Sequence, residues 1–157
     1  MPKLIRKINR NRWTNLYEDC KFSLYGDSLI DLQSKTGKIS FWKCDSDENI
    51  EHAVIALAVS GDSLDKIDYS IIEEAEVTKL GIHIENVIGK TPFISANRLH
   101  VDLSGLTVTA IHNLALTMHR TGQNKRKTRR EVVDLARSLK GEMDLSKLSQ
   151  HILTDIQ

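Results

Sequence analysis

The chain has 157 residues, 40% of them hydrophobic and 27% charged, which is typical of one soluble globular domain. Two prolines and eight glycines are too few for a disordered chain, and no apolar run is long enough to span a bilayer. No apolar stretch follows the basic N-terminus, so a signal peptide is not indicated and we expect a cytoplasmic protein without membrane contact. Its cysteines, Cys20 and Cys44, are expected to be reduced, with a disulfide left open.

The formal net charge of +1 conceals a strong segregation of charge along the chain. Residues 1–12 carry five basic and no acidic side chains, whereas residues 13–118 carry 8 basic and 16 acidic ones. Residues 119–157 carry 9 basic and 5 acidic side chains. Because the local field depends on local charge, two positive ends are expected to flank a negative body.

In chain order, residues 1–13 are predicted to form a basic N-terminal arm. Alternating apolar residues over 29–33 and 39–43, with Gly37 between them, predict a β-hairpin near 29–43. A helix is predicted to follow, with Asp45 or Asp47 as its N-cap and an end near Gly61.

The middle of the chain alternates again at residues 67–71 and 82–85, which predicts two strands with a short acidic helix between them. Apolar spacing over residues 103–118 predicts a longer helix, which Asp102 could cap.

After a predicted polar linker, Thr128 and Glu131 have the spacing of a capping box at the start of a helix. Asp144 is expected to cap the last helix. The apolar stripes of these two helices need a partner surface: the body, a second copy or another protein.

The order of elements predicts an α+β fold, with a small mixed or antiparallel sheet covered by helices and followed by a C-terminal helical segment. The predicted organisation is a basic arm over 1–13, an α+β body over 14–120, and a basic linker with a helix pair over 121–157.

No catalytic residue, metal ligand or cofactor is predicted, and a binding protein is favoured over an enzyme. Gly89-Lys90-Thr91 resembles the end of a phosphate-binding loop, but Ile84 stands where the first glycine is needed. The pairs His83 with Glu85 and His100 with Asp102 would form a metal site only by converging in space. A site assembled from distant residues stays open.

The basic segments at the two ends predict contact with nucleic acid, because Lys and Arg neutralise phosphates and an aromatic ring can stack on a base. The predicted nucleic-acid-binding residues are Lys125, Arg126, Lys127, Arg129, Arg130, Arg6, Lys7, Arg10, Arg12 and Trp13. Two of these cations open a helix, where an external anion would offset the unfavourable helix dipole. The sequence therefore predicts a module that binds DNA or RNA; the alternative is an assembly subunit whose C-terminal helices dock on a protein partner or form a homo-oligomer.

Overall fold

The computed structural model describes residues 1–14, 26–34 and 36–157. Six antiparallel strands form one sheet in the order β4-β5-β2-β1-β3-β6. The strands are β1 (Lys3–Lys7), β2 (Ile39–Cys44), β3 (Ile67–Glu73), β4 (His83–Asn86), β5 (His100–Ser104) and β6 (Gln123–Lys127). The α-helices are α1 (Asn11–Thr14), α2 (Gly26–Ile30), α3 (Asp47–Val59), α4 (Glu74–Thr78), α5 (Val108–Thr121), α6 (Arg129–Ser138) and α7 (Gln150–Asp155). Short 3-10 helices occupy Ile94–Leu99, Lys140–Glu142 and Leu145–Lys147. The predicted α+β fold is confirmed.

Helices cover both faces of the sheet, which is the middle of three layers. The first face carries Ile5 and Trp42 and packs against α3, α6 and α7. The second face carries Leu4 and Phe41 and packs against α4, α5 and Trp13 of α1. Side chains alternate between these faces along each strand, so the register fixes which polar residues share a face.

The N-terminal basic segment is not an arm, because β1 lies inside the sheet between β2 and β3. Leu4 and Ile5 are consecutive, yet both are fully buried. A strand covered on both faces buries neighbouring residues in opposite directions, which hides the alternation that sequence analysis depends on.

The predicted basic linker is also part of the sheet. Its residues form edge strand β6, which pairs with β3 from Ile67 opposite Lys127 to Ile71 opposite Gln123. Backbone pairing holds this strand, because its five residues, QNKRK, contain no apolar side chain.

The predicted hairpin is wrong in its first half. Residues 26–30 form α2, and the second half, β2, pairs with β1 and β5 rather than with residues 29–33. Leu32 follows α2 and is fully buried on the second face, which accounts for the apolar character of this segment.

Two predicted helix starts are displaced. Residues 100–104 form strand β5, so Asp102 is a strand residue, and α5 begins after Thr107, whose hydroxyl accepts from the Ala110 N–H. Gly105 separates the two elements with φ +71°, a conformation that favours glycine. The N-cap of α3 is Ser46, which lies between the two acidic candidates.

The C-terminal helices pack on the body of the same chain. α6 begins with the predicted capping box of Thr128 and Glu131. Val132 and Ala136 of α6 and Ile152 of α7 are fully buried in the core of the first face. The N-cap of α7 is Ser149, whereas Asp144 caps the preceding 3-10 turn.

Cys44 is a buried free thiol whose pKa is raised to about 12, mainly by burial. Cys20 lies outside the described residues. Within the described part of the chain, no helix has both the length and the hydropathy needed to cross a membrane.

Candidate nucleic-acid interface

The two basic segments meet at Asp68. The Nε and Nη2 atoms of Arg126 donate to its carboxylate at 2.6 and 3.0 Å, and the backbone N–H of Arg10 donates to Oδ2 at 3.4 Å. The hydrogen bonds from Arg126 lower the pKa of Asp68, so the carboxylate is ionised at neutral pH. The structure thus joins two segments that the sequence analysis treated as opposite ends of the molecule.

Two lysines from these segments share a row on the first face of the sheet. Lys7 lies opposite Tyr69 and Tyr69 lies opposite Lys125, so the two lysine backbones are about 10 Å apart. Both lysines are exposed, and no carboxylate of the described residues lies within ion-pair distance of either. Burial raises the pKa of Tyr69, which keeps this phenol neutral between the two cations.

We call the group of Lys7, Arg10, Lys125 and Arg126 the basic edge. It lies where β1 ends and where β3 and the edge strand β6 pair. Asp68 accepts hydrogen bonds from both segments, and the three cations Lys7, Lys125 and Arg126 outnumber this one carboxylate.

The remaining cations of the C-terminal run have acidic partners in the chain. Lys127 Nζ is 3.7 Å from Glu51, and Arg129 donates to Asp155 at 2.7 Å and to a backbone carbonyl. Arg130 is 3.8 Å from Asp134, but its side chain is 92% exposed. The position of Arg129 at a helix start therefore has an internal explanation, and an external anion is not required.

The N-terminus of α6 is also satisfied internally. The Thr128 hydroxyl accepts from the Glu131 N–H, and the Glu131 carboxylate accepts from the Thr128 N–H at 2.7 Å. The Thr128 hydroxyl also donates to the Glu131 carboxylate at 2.7 Å, and this bond together with the bond from the Thr128 N–H lowers the pKa of Glu131. The negative charge of Glu131 complements the helix dipole.

Arg6 is a structural cation rather than a phosphate ligand of the surface. Its Nε donates to the Asp31 carbonyl and its Nη1 to the Ser40 carbonyl, both at 2.7 Å. Burial lowers the pKa of Arg6 to about 10, which still leaves it protonated at neutral pH. Its hydrogen bonds go to neutral carbonyls, while the nearby carboxylate of Asp31 attracts its charge.

The prediction that Trp13 stacks on a base is wrong. Trp13 is 2% exposed, its indole N–H donates to Asp31 Oδ2 at 2.7 Å, and its ring packs on His119 with centroids 4.6 Å apart. Arg12 pairs with the other oxygen of Asp31 at 2.6 Å. Both residues therefore serve the core of the second face.

The structure brings together a serine and a histidine that lie 91 residues apart in the sequence. Ser28 Oγ is 2.9 Å from His119 Nε2 and also donates to the Arg12 carbonyl at 2.7 Å. Because the single hydroxyl proton is used for that carbonyl, the imidazole N–H donates to the serine and does not activate it. Ser28 is fully buried, so the pair is structural and not a nucleophilic site.

The histidine and acid pairs considered as metal ligands lie on neighbouring strands, with Glu85 opposite Asp102. The Glu85 carboxylate accepts hydrogen bonds from Lys38 and Ser104, both at 2.5 Å. His100 Nδ1 lies 2.9 Å from the Val87 carbonyl. Within the described ranges, no group of three or more His, Cys, Asp or Glu residues is arranged to hold a metal ion.

A cleft of about 680 Å³ lies beside the basic edge. It is bounded by the end of β1, the start of β2, the C-terminal end of α3 and the loop that carries Gly89-Lys90-Thr91. This loop was singled out in the sequence as an incomplete phosphate-binding motif. It contributes Lys90 to a cleft that already contains Lys7 and Arg6.

Comparisons of the chain with protein-family models, with curated protein sequences and with solved structures gave no match.

Proposed function

We propose that this protein is a non-catalytic module that binds nucleic acid through the basic edge. The observation that supports the proposal is the meeting of both basic segments at Asp68, with Lys7 and Lys125 in one cross-strand row. A polyanion can contact both segments at once, because β3 alone separates their strands, β1 and β6. The proposal includes a cytoplasmic location.

The cations of the basic edge would contact phosphates in two ways. Lys7 and Lys125 have long side chains with no carboxylate partner among the described residues, and they act as point charges. Arg126 is held by Asp68 through Nε and Nη2, which leaves the N–H groups of Nη1 free to donate to a phosphate oxygen. Such contacts are independent of base sequence, so DNA and RNA are both candidate ligands.

The test is a salt titration of binding to a DNA duplex, a DNA single strand and an RNA single strand. With three phosphates neutralised, the logarithm of the association constant should fall with the logarithm of salt concentration at a slope of about −3 on duplex and about −2 on single strands. Lys7→Gln and Lys125→Gln should each reduce the magnitude of the slope by about 1.

Lys79→Gln is the matched control, because it removes the same charge directly after α4, which follows the opposite end of β3. It should leave the slope unchanged. Absence of binding at low salt, or a slope that does not change in the Lys7 and Lys125 variants, would overturn the proposal.

The alternative function, an assembly subunit that docks through its C-terminal helices, has less support. This alternative was suggested by the apolar stripes of the two C-terminal helices, which needed a partner surface. In the structure these stripes are buried against the body of the same chain. A protein partner or a homo-oligomer stays a prediction that rests on charge alone.

A further inference from the structure

We propose that the cleft beside the basic edge binds a small organic phosphate monoester, at a site that shares Lys7 with the nucleic-acid contact and is otherwise formed by different residues. Its volume of about 680 Å³ lies within the range of small-molecule pockets. The inference goes beyond the proposed function, because it requires no polynucleotide.

The charge of the cleft favours an anion. Arg6, Lys7 and Lys90 line it, and among the described lining residues Asp31 is the one carboxylate. Both oxygens of Asp31 are already engaged: Oδ1 by Arg12 at 2.6 Å, and Oδ2 by Trp13 at 2.7 Å and by a backbone N–H. Asp31 is therefore paired with Arg12 and also attracts Arg6, so Lys7 and Lys90 are the lining cations that keep their full attraction for a ligand.

The lysines are the groups that would touch this ligand. Lys7 and Lys90 are exposed, and within the described residues neither has a carboxylate at ion-pair distance. Arg6 would attract the ligand through its positive charge and not through a hydrogen bond from Nε or Nη1, since these atoms already donate to the carbonyls of Asp31 and Ser40.

This division of roles distinguishes a phosphate from a carboxylate ligand. The two-pronged fork of an arginine suits carboxylates and phosphates alike, but the fork of Arg6 already faces backbone carbonyls, so ligand charge decides between them. Lysines act as point charges and suit the three oxygens and the double charge of a phosphate monoester.

The loop that presents Lys90 is held in place before any ligand arrives. Asn97 Oδ1 accepts from the Thr91 N–H at 3.0 Å, and Asn97 Nδ2 donates to the Thr91 carbonyl at 3.1 Å. Gly89 donates to the Asn97 carbonyl at 2.8 Å, and a Cβ on this glycine would lie 2.9 Å from Asn97 Oδ1. A preorganised loop lowers the entropy lost on binding.

The walls indicate that the phosphate carries an apolar substituent. Ile30 is 43% exposed, and Leu57 lies at the end of α3 on the same cleft. Trp42 and His100 form part of the lining, with their rings edge to face at 5.3 Å. A ligand with a phosphate and a compact apolar or aromatic group would use both the cations and these walls.

The experiment is isothermal titration calorimetry of the full chain with phenyl phosphate, inorganic phosphate and benzoate as probes. Phenyl phosphate should bind most tightly, since it alone supplies both the dianion and the apolar group. Lys90→Gln should weaken phenyl phosphate binding about tenfold, through loss of one charge-assisted hydrogen bond. The control Lys79→Gln should not change it.

The two proposals fail separately. Lys125→Gln should weaken nucleic-acid binding and leave phenyl phosphate binding unchanged, and Lys90→Gln should do the reverse. No binding of phenyl phosphate at millimolar concentration would overturn the cleft proposal. So would equal losses in the Lys90 and Lys79 variants, or benzoate binding as tightly as phenyl phosphate.

Discussion

Arg126 and Asp68 are opposite each other in the register of β6 and β3, and their side chains also form a two-pronged ion pair at 2.6 and 3.0 Å. The same pair thus fixes the edge strand and holds one cation of the basic edge. Its carboxylate also accepts from the N-terminal basic segment. One acidic side chain therefore connects the folding of the sheet with the proposed binding surface.

We expect Asp68→Asn to destabilise the protein and to strengthen nucleic-acid binding. The native pKa of Asp68 lies below its ordinary value, so its stabilising effect is complete above the pKa of the unfolded chain, near 3.9. The effect is lost as pH falls through the lower native pKa. Removing one opposing charge about 8 Å from a phosphate should tighten binding about twofold at low salt.

Urea unfolding of Asp68→Asn at pH 7 and pH 3, together with the salt titration, tests this prediction. Asp134→Asn is the control, because Asp134 is 61% exposed and its ion pairs are long. Weaker nucleic-acid binding by the Asp68 variant would contradict the role given to the basic edge.

Trp13→Phe should lower stability without changing nucleic-acid binding. The substitution keeps an aromatic ring against His119 but removes the indole donor to Asp31, which should cost about 2 kcal/mol in the free energy of unfolding. Chemical denaturation and the binding assay can be run on the same preparation. A folded variant with weakened nucleic-acid binding would show that the ring contacts the ligand after all.

Stability should fall as pH drops below about 6.5 because of His119. Burial lowers its native pKa, so the unfolded chain takes up the proton first and unfolding is favoured below the ordinary histidine pKa. The ring faces Trp13 and Ser28, and the ion pair of Arg12 with Asp31 lies next to these residues.

His119→Gln should reduce the difference in unfolding free energy between pH 7.5 and pH 5.5. The control is His112→Gln, at an exposed position of the same helix, which should leave that difference unchanged. An unaltered pH dependence in the His119 variant would contradict the assignment.

Ile152→Ala should lower the free energy of unfolding by about 2–4 kcal/mol, because the Ile152 side chain of α7 is fully buried in the core of the first face. Its molar mass by light scattering should equal that of the unchanged protein. If α7 served a second copy instead, the variant would dissociate at nearly constant stability. Leu145→Ala, at a 40% exposed position, is the control.

Sequence periodicity predicted elements that bury one face. β3 alternates over Ile67 and Ile71, α3 has a helical apolar stripe, and α6 opens with its capping box. β3 and α6 form where these local rules of spacing and capping place them, and the N-cap of α3 lies one residue from each predicted cap.

Two strands, β1 and β6, were not predicted, because neither has the alternating apolar pattern of a strand. β1 is buried on both sides, so Leu4, Ile5 and Arg6 show no alternation. β6 has no apolar residue, and only its pairing with β3 makes it a strand. The sequence therefore predicted a basic arm in place of β1 and a basic linker in place of β6. These two predictions separated segments that lie together in the fold.

The candidate site was predictable in its composition but not in its geometry. Lys7, Lys125 and Arg126 were selected for their charge, and Asp68 was not considered because its partner lies 58 residues away. The sequence indicates Trp13 and Arg6 with them, although Trp13 is buried and Arg6 is half-buried. The cleft depends on Lys90 and on the loop that Asn97 holds through hydrogen bonds to Thr91. No local sequence motif predicts these hydrogen bonds.

The cationic composition of β6 has a second consequence, which concerns solubility. An open sheet border presents unpaired backbone groups that can recruit a strand from another molecule, and closely spaced lysine and arginine residues prevent this by mutual repulsion. Neutralising several of them together would therefore favour intermolecular β-pairing and aggregation. The charges of this strand oppose such pairing whether or not a phosphate is bound.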